Sequence, residues 1–286
     1  MTKSLIRLLA FVPGAAVSIA AAIAAGATLS GLAGGLAPVT TAALISALMA
    51  GFLLGLAHLM LRRDRLTLGV LGLPADRRRW RELSIGFVVM TVLTLAIALV
   101  QSRAVGAPWQ FQGSAGLRAA LFALPLVAAM VLAEELLFRG IALRYLREGW
   151  GDRAAIAVTA VAFGLYHVVG TRNWAMGAAF QFLMPSLAGA LFAWAAIRSR
   201  GLSLPLGLHL GTNWVQAAVA GFDAGGPNAT VFAIWRIPVS AADVQALTAP
   251  DVIVRLPHLT ALAAAAIATW LLLRRHATER PAARAF

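Results

Sequence analysis

The sequence lacks cysteine altogether and contains few charged residues. Its 286 residues are 12% charged, whereas a soluble globular domain has about 25%. The absence of cysteine excludes disulfides, thiolate metal sites and a cysteine nucleophile. Hydrophobic residues make up 60% of the chain, and the mean hydropathy is +0.82. These values predict a polytopic integral membrane protein with a single membrane domain over residues 1–286.

Acidic residues are also scarce, since 24 Lys and Arg face 11 Asp and Glu, for a formal net charge of +13. In a soluble chain this charge would indicate nucleic-acid binding. Here the basic residues lie between apolar runs, as the positive-inside rule requires. We therefore expect a lipid bilayer and no nucleic acid as partner. The arginine-rich segment 62–81 is interpreted as a solvated cytoplasmic loop, with contact to anionic lipid as the alternative.

Eight apolar segments predict an all-α bundle of about eight transmembrane helices. They cover approximately residues 8–32, 40–61, 83–100, 117–143, 154–170, 176–197, 206–220 and 256–273. The even number and the distribution of arginines place both termini in the cytoplasm, with a basic tail at 274–286. The first segment is longer than the apolar region of a signal peptide, so we expect it to be retained; cleavage is the alternative. A single lysine among many arginines and alanines points to a bacterial source, and hence to the cell membrane.

Two other stretches are interpreted from their composition. The pair Gly51-x-x-x-Gly55 in the second segment indicates a face for close helix packing. Residues 221–255 form the longest polar stretch and are interpreted as a loop, to which the sequence assigns no role.

The fourth segment carries two adjacent carboxylates, Glu134 and Glu135, together with Arg139. An ionised side chain at the centre of a membrane costs ~2.5–3.5 kcal/mol on insertion scales. Arg139 lies one helical turn after Glu135 and can form an ion pair with it. Glu134 points about 100° away from Glu135 around the helix axis, so it requires a partner from another helix.

Two further segments carry polar side chains at helical spacing. Phe163 and His167 share one helix face, and His209 and Asn213 share another. Each pair alone is typical of a polar contact between helices. Together with the glutamates they provide a carboxylate, two imidazoles and an amide, which are the groups that hydrolysis needs as base and oxyanion donors.

These residues resemble a known family of membrane enzymes. The chain is similar to the CPBP intramembrane proteases, which include the type II CAAX prenyl endopeptidases and the bacteriocin-processing and self-immunity proteins. The similarity extends over about residues 131–216, within a predicted catalytic core at 118–216. It is carried by three motifs: Glu134-Glu135-x-x-x-Arg139, Phe163-x-x-x-His167 and His209-x-x-x-Asn213.

The resemblance implies an intramembrane endopeptidase that acts on a membrane-associated or lipidated peptide or protein. It implies that Glu134 and His167 activate a water molecule, and that His209 and Asn213 stabilise the oxyanion. Three other motif residues would orient the site: Glu135, Arg139 and Phe163.

Three alternatives remain open from the sequence. His167, His209 and Glu134 could hold a zinc ion, although the motif H-E-x-x-H is absent and a glutamate-activated water needs no metal. The glutamates could relay protons in a transporter, or the chain could be an inactive immunity protein of the same fold. Neither the substrate nor the oligomeric state follows from the sequence.

Overall fold

A computed structural model describes residues 2–36, 38–170, 178–223, 233–248 and 252–277. The chain is an all-α polytopic bundle, as predicted, and each of the eight predicted segments coincides largely with helix. The helices are α1 (Thr2–Leu32), α2 (Pro38–Arg63), α3 (Arg77–Ala104), α4 (Gly113–Glu135), α5 (Leu143–Gly170), α6 (Ala178–Ser199), α7 (Ser203–Trp214), α8 (Ala241–Thr248) and α9 (Val252–Ala277). Beyond Ala277, the predicted basic tail lies outside the described residues.

Among the described residues, five helical stretches are long and apolar enough to cross a membrane: Lys3–Leu32, Thr40–Arg63, Arg77–Ala104, Gly113–Val169 and Gln181–Ser199. The fourth stretch is 57 residues long and contains two predicted segments. They meet at Gly151, whose φ of 80° is a left-handed conformation that favours glycine. Helix α7 has only 12 residues, and the apolar part of α9 is Pro257–Leu271. The protein is membrane-embedded, and the number of eight crossings stays a prediction.

Two π-helical segments interrupt the regular helices. One, Leu136–Ala142, joins α4 to α5, and the other, Val215–Val219, continues α7. Such i→i+5 segments are rare and are frequently found at functional sites. The first begins one residue after Glu135, which is predicted to orient the site, and the second begins two residues after Asn213, which is predicted to be catalytic.

A small sheet closes one end of the bundle. It consists of β1 (Gln110–Phe111), β2 (Ala220–Asp223) and β3 (Trp235–Pro238), in the order β1-β3-β2. Strand β3 is antiparallel to β1 and parallel to β2. The interpretation of residues 221–255 as a loop is therefore wrong in part, since this stretch contains most of β2, all of β3 and helix α8. Its strands are too short to give a clear alternating pattern.

Helices α3 and α7 pack with their backbones in close contact, and glycine makes this possible. A methyl group on Gly207 would collide with the carbonyl of Leu83, and one on Gly211 would lie 2.5 Å from the oxygen of Phe87. The packing role predicted for Gly51 and Gly55 is wrong, because no atom of the described residues lies within 4 Å of a methyl group placed on either of them. Glycines that allow close helix packing lie instead on α7, the helix that carries His209.

The arginine-rich segment is only partly a loop, because α2 ends at Arg63 and α3 begins at Arg77. Arg79 donates to the carbonyl of Arg200 at 2.7 Å and pairs with Glu82 at 3.0 Å. Since arginines near a helix C-terminus satisfy its last carbonyls, this contact ties the start of α3 to the end of α6. The interpretation as a solvated loop is therefore incomplete.

Candidate active site

Glu135 and Arg139 form an ion pair in the interior of the bundle. Both side chains are fully buried, and Nη1 of Arg139 lies 3.0 Å from Oε1 of Glu135. The guanidinium group also donates from Nη2 to the carbonyl of Gly189 at 3.3 Å and lies 4.2 Å from the ring centre of Phe163. The pair that the i, i+4 spacing predicts is present, because a buried charge requires both an opposite charge and hydrogen bonds.

Glu135 also fixes the ring of His209. Oε1 of Glu135 lies 2.9 Å from Nδ1 of His209, and because the carboxylate is paired with Arg139, Nδ1 carries the hydrogen and donates it. The ring of Phe192 stacks on the imidazole with a centroid separation of 4.9 Å and an interplanar angle of 24°. These contacts leave Nε2 as the ring nitrogen available for chemistry.

Two other motif residues surround Nε2 of His209. The amide nitrogen of Asn213 lies 3.3 Å from it, and Oε2 of Glu134 lies 3.5 Å from it. Glu134 is buried, and within the described part of the chain its Oε2 has no hydrogen-bond partner. His209 is thus the contact from another helix that the position of Glu134 requires.

His167 is oriented by its own helix. Its Nδ1 lies 2.9 Å from the carbonyl oxygen of Phe163, and a carbonyl can only accept, so Nδ1 carries the hydrogen. In the neutral imidazole Nε2 then has a lone pair and can accept a proton. The ring also packs edge-on against Phe163 at a centroid distance of 4.5 Å. This contact gives a physical reason for the Phe163-x-x-x-His167 spacing.

A cavity of about 320 Å³ connects the motif residues. Of the predicted site residues, His167, His209, Asn213 and Phe163 line it, and Glu134 reaches the site through its contact with Nε2 of His209. The structure therefore brings three of the four predicted catalytic side chains to one cavity wall and the fourth next to it. Glu135 and Arg139 lie behind His209 and hold it.

Sequence analysis missed several residues of this site. Thr94 of α3 lines the cavity and is only 4% exposed, and its hydroxyl has no hydrogen-bond partner among the described residues. A threonine in an apolar helix is a weak signal, because its hydroxyl commonly bonds to a carbonyl one turn earlier. Phe192 and Gly189 carry no signal at all, since an apolar residue and a glycine are common in any membrane helix.

The structure does not gather the proposed zinc ligands. Within the described ranges no three His, Asp or Glu side chains lie close enough to hold a metal ion. Nε2 of His209 and Oε2 of Glu134 are near each other, but no third His, Asp or Glu of the described ranges completes the ligand set. The described residues do not fit a three-ligand zinc site.

Comparison with known proteins supports the resemblance. Residues 116–215 match the family model described as type II CAAX prenyl endopeptidase Rce1-like. No curated protein and no solved structure matches the chain. The matched residues contain all three motifs, so the resemblance is confirmed, and this part of the chain is similar to CAAX-type intramembrane endopeptidases.

Proposed function

We propose that this protein is an intramembrane endopeptidase that hydrolyses a peptide bond of a membrane-associated or lipidated peptide or protein. The observation that carries the proposal is the setting of His209. Its Nδ1 is bonded to the buried Glu135, and its Nε2 lies near Asn213 and Glu134, on a cavity that His167 also lines.

The reaction begins with activation of water. The lone pair on Nε2 of His167 accepts a proton from a water molecule in the cavity, and the carboxylate of Glu134 provides a second acceptor beside His209. The hydroxide oxygen attacks the carbonyl carbon of the substrate and forms a tetrahedral oxyanion. The proton then passes to the nitrogen of the leaving amine, and the peptide bond breaks.

Asn213 and His209 stabilise the oxyanion. An asparagine amide has two hydrogens; one is directed at Nε2 of His209 while that nitrogen is unprotonated, and the other is available for the substrate. His209 becomes a donor when Nε2 carries a proton, and Glu135 stabilises that imidazolium from the opposite side of the ring, as the carboxylate does in a catalytic triad. Arg139 forms an ion pair with Glu135 and keeps it in place.

The cavity wall indicates the substrate class. Most of its lining is apolar, with Met90, Ile97, Met184 and Leu262 among the side chains. Such a wall accepts a hydrophobic residue or a lipid group next to the scissile bond. A prenylated protein is one substrate of this class; a membrane-anchored peptide without a lipid is another.

The test is cleavage by the purified protein in detergent. Hydrophobic and lipidated peptides are incubated with the enzyme, and the products are identified by mass spectrometry. We expect Glu134→Gln, His167→Ala and Asn213→Ala each to lower the rate by about 10²-fold or more, because each removes a base or an oxyanion donor.

The control is His58→Ala, because His58 is an exposed histidine of α2 that does not line the cavity. It should cleave at the wild-type rate. Variants of Glu134 and His167 that fold and retain full activity would contradict the proposed roles.

The zinc-dependent alternative is tested on the same preparation. We expect cleavage to persist in the presence of a chelator, with metal content well below one ion per chain. One zinc per chain that disappears in His167→Ala would support the alternative mechanism instead.

A further inference from the structure

A second cavity lies at the end of the bundle where α1 begins and α2 ends. Its volume is about 340 Å³, and none of its lining residues lines the catalytic cavity. Its polar lining consists of three cations, one carboxylate and one phenol: Lys3, Arg7, Arg63, Asp64 and Tyr145. The proposed function does not use this cavity.

The carboxylate in this cavity is already neutralised. Arg7 forms an ion pair with Asp64 and lies 3.7 Å from Glu148, and the hydroxyl of Tyr145 donates to Oδ2 of Asp64 at 3.0 Å. The guanidinium group of Arg7 also lies 5.6 Å from the centre of the Tyr145 ring. This network fixes the floor of the cavity and joins α1, α2 and the first turn of α5.

Lys3 and Arg63 are the unbalanced charges. Both are exposed, and within the described part of the chain neither forms an ion pair. With Arg7 paired to Asp64, the cavity lining keeps two positive charges. An anion that enters would therefore meet two cations and no uncompensated carboxylate.

The remaining wall is apolar and continues along the outside of α1. Ile6, Ala10 and Met60 line the cavity, and Ile6 and Leu9 are 61% and 63% exposed on a helix long enough to cross a membrane. A free phosphate would make no use of this wall. A molecule with an anionic head and a hydrocarbon chain contacts both parts.

We propose that this cavity binds the head group of an anionic phospholipid. Lys3 and Arg63 contact the phosphate, and an acyl chain lies along Ile6, Ala10 and Met60. Basic pockets between the ends of membrane helices bind acidic lipid head groups in this way. The bound lipid connects α1 to α2 at the end where α5, which carries His167, also begins.

The experiment measures lipid binding by native mass spectrometry of the full chain in neutral detergent, with phosphatidylglycerol and phosphatidylcholine of equal chain length. We expect preferential binding of phosphatidylglycerol. The double variant Lys3→Gln/Arg63→Gln should weaken it about 30-fold, because each basic residue near an anionic head group contributes close to a factor of five.

The matched control is Arg62→Gln/Arg77→Gln, which removes the same charge from exposed residues that do not line the cavity. It should bind phosphatidylglycerol like the wild type. The melting temperatures of both double variants in phosphatidylcholine should equal that of the wild type, since no ion pair is lost. If the Lys3/Arg63 variant does not fold, the single variants replace it, and each should weaken binding about fivefold.

Three results would overturn the proposal. Equal affinities for the two lipids would exclude a head-group site, and equal weakening by the control variant would indicate non-specific attraction to charge. Inorganic phosphate that competes as well as phosphatidylglycerol would indicate a free-anion site. None of these results depends on peptidase activity, so this proposal and the proposed function can fail separately.

Discussion

Replacement of Arg139 by methionine should destabilise the protein strongly. The side chain is fully buried, and it compensates the charge of Glu135, donates to the carbonyl of Gly189 and covers the ring of Phe163. Methionine fills much of the volume but leaves Glu135 charged and without its cation. Breaking a buried ion pair from one side costs about 3–5 kcal/mol, which corresponds to a fall of roughly 10 °C in melting temperature.

A double variant tests whether the destabilisation by Arg139→Met comes from the uncompensated charge of Glu135 or from lost packing. In Glu135→Gln/Arg139→Met the uncompensated carboxylate is absent, and the glutamine oxygen can still accept from Nδ1 of His209. We expect this double variant to recover most of the stability, because replacing both partners of a buried pair is often neutral. This double variant should nevertheless be inactive, because in the proposed reaction the imidazolium of His209 loses its counter-charge.

The assay is thermal unfolding of the purified variants in one detergent, combined as a double-mutant cycle. The control is Arg118→Met, since Arg118 is exposed in α4 and forms no ion pair within the described residues; it should change stability by no more than about 0.5 kcal/mol. If the single variants Glu135→Gln and Arg139→Met had additive effects, with no recovery in the double variant, the reasoning would be refuted. The destabilisation would then come from lost packing around the guanidinium group.

Three other predictions follow from particular contacts. The buried hydroxyl of Thr94 lines the cavity, and we propose that it bonds to the substrate, so Thr94→Val should lower the rate of peptide cleavage about tenfold at unchanged melting temperature. Thr91→Val should not, because the Thr91 hydroxyl also has no hydrogen-bond partner among the described residues but does not line the cavity. Gly207→Ala should lower the melting temperature sharply because its methyl group meets backbone, whereas Gly55→Ala, with open space around it, should be neutral or slightly stabilising. Ser240 donates hydrogen bonds from its backbone N–H and its hydroxyl to Asp243, and these bonds lower the pKa of the Asp243 carboxyl. The stabilisation of α8 by this carboxylate is therefore complete above the unfolded pKa of about 3.9 and is lost as the pH falls through the lower folded value. The protection factors of the α8 amides against hydrogen exchange, which correct for the intrinsic pH dependence of exchange, should fall at low pH in the wild type, and Asp243→Asn should remove this fall.

Sequence predicts those parts of the site for which burial of an unpaired charge would cost the most free energy. A carboxylate in an apolar helix requires a partner, so the pairing of Glu135 with Arg139 follows from spacing alone. The same argument requires a partner for Glu134 but does not identify it, because helical periodicity says nothing about which helix lies opposite. The family motifs supplied His209 and His167, and only the folded chain gives the tautomer of each ring.

Other features are not predictable because they depend on tertiary contacts. The Gly51-x-x-x-Gly55 and Gly207-x-x-x-Gly211 spacings look alike in sequence, yet only the second meets a neighbouring backbone. The π-helical segments have no local sequence signature. Strands of two to four residues are likewise below the length at which alternation is recognisable.

The two adjacent glutamates explain why the site needs a histidine between them. Glu135 contacts Nδ1 of His209 and Glu134 lies near Nε2 of the same ring, so two carboxylates that diverge by about 100° on one helix meet opposite edges of one imidazole. With Arg139 the group holds two negative charges and one positive charge while His209 is neutral. The formal excess of one negative charge lies at the Nε2 edge of the ring, beside Oε2 of Glu134, and a low-dielectric interior disfavours an unbalanced charge. We therefore propose that both carboxylates, rather than either one, support the oxyanion role assigned to His209.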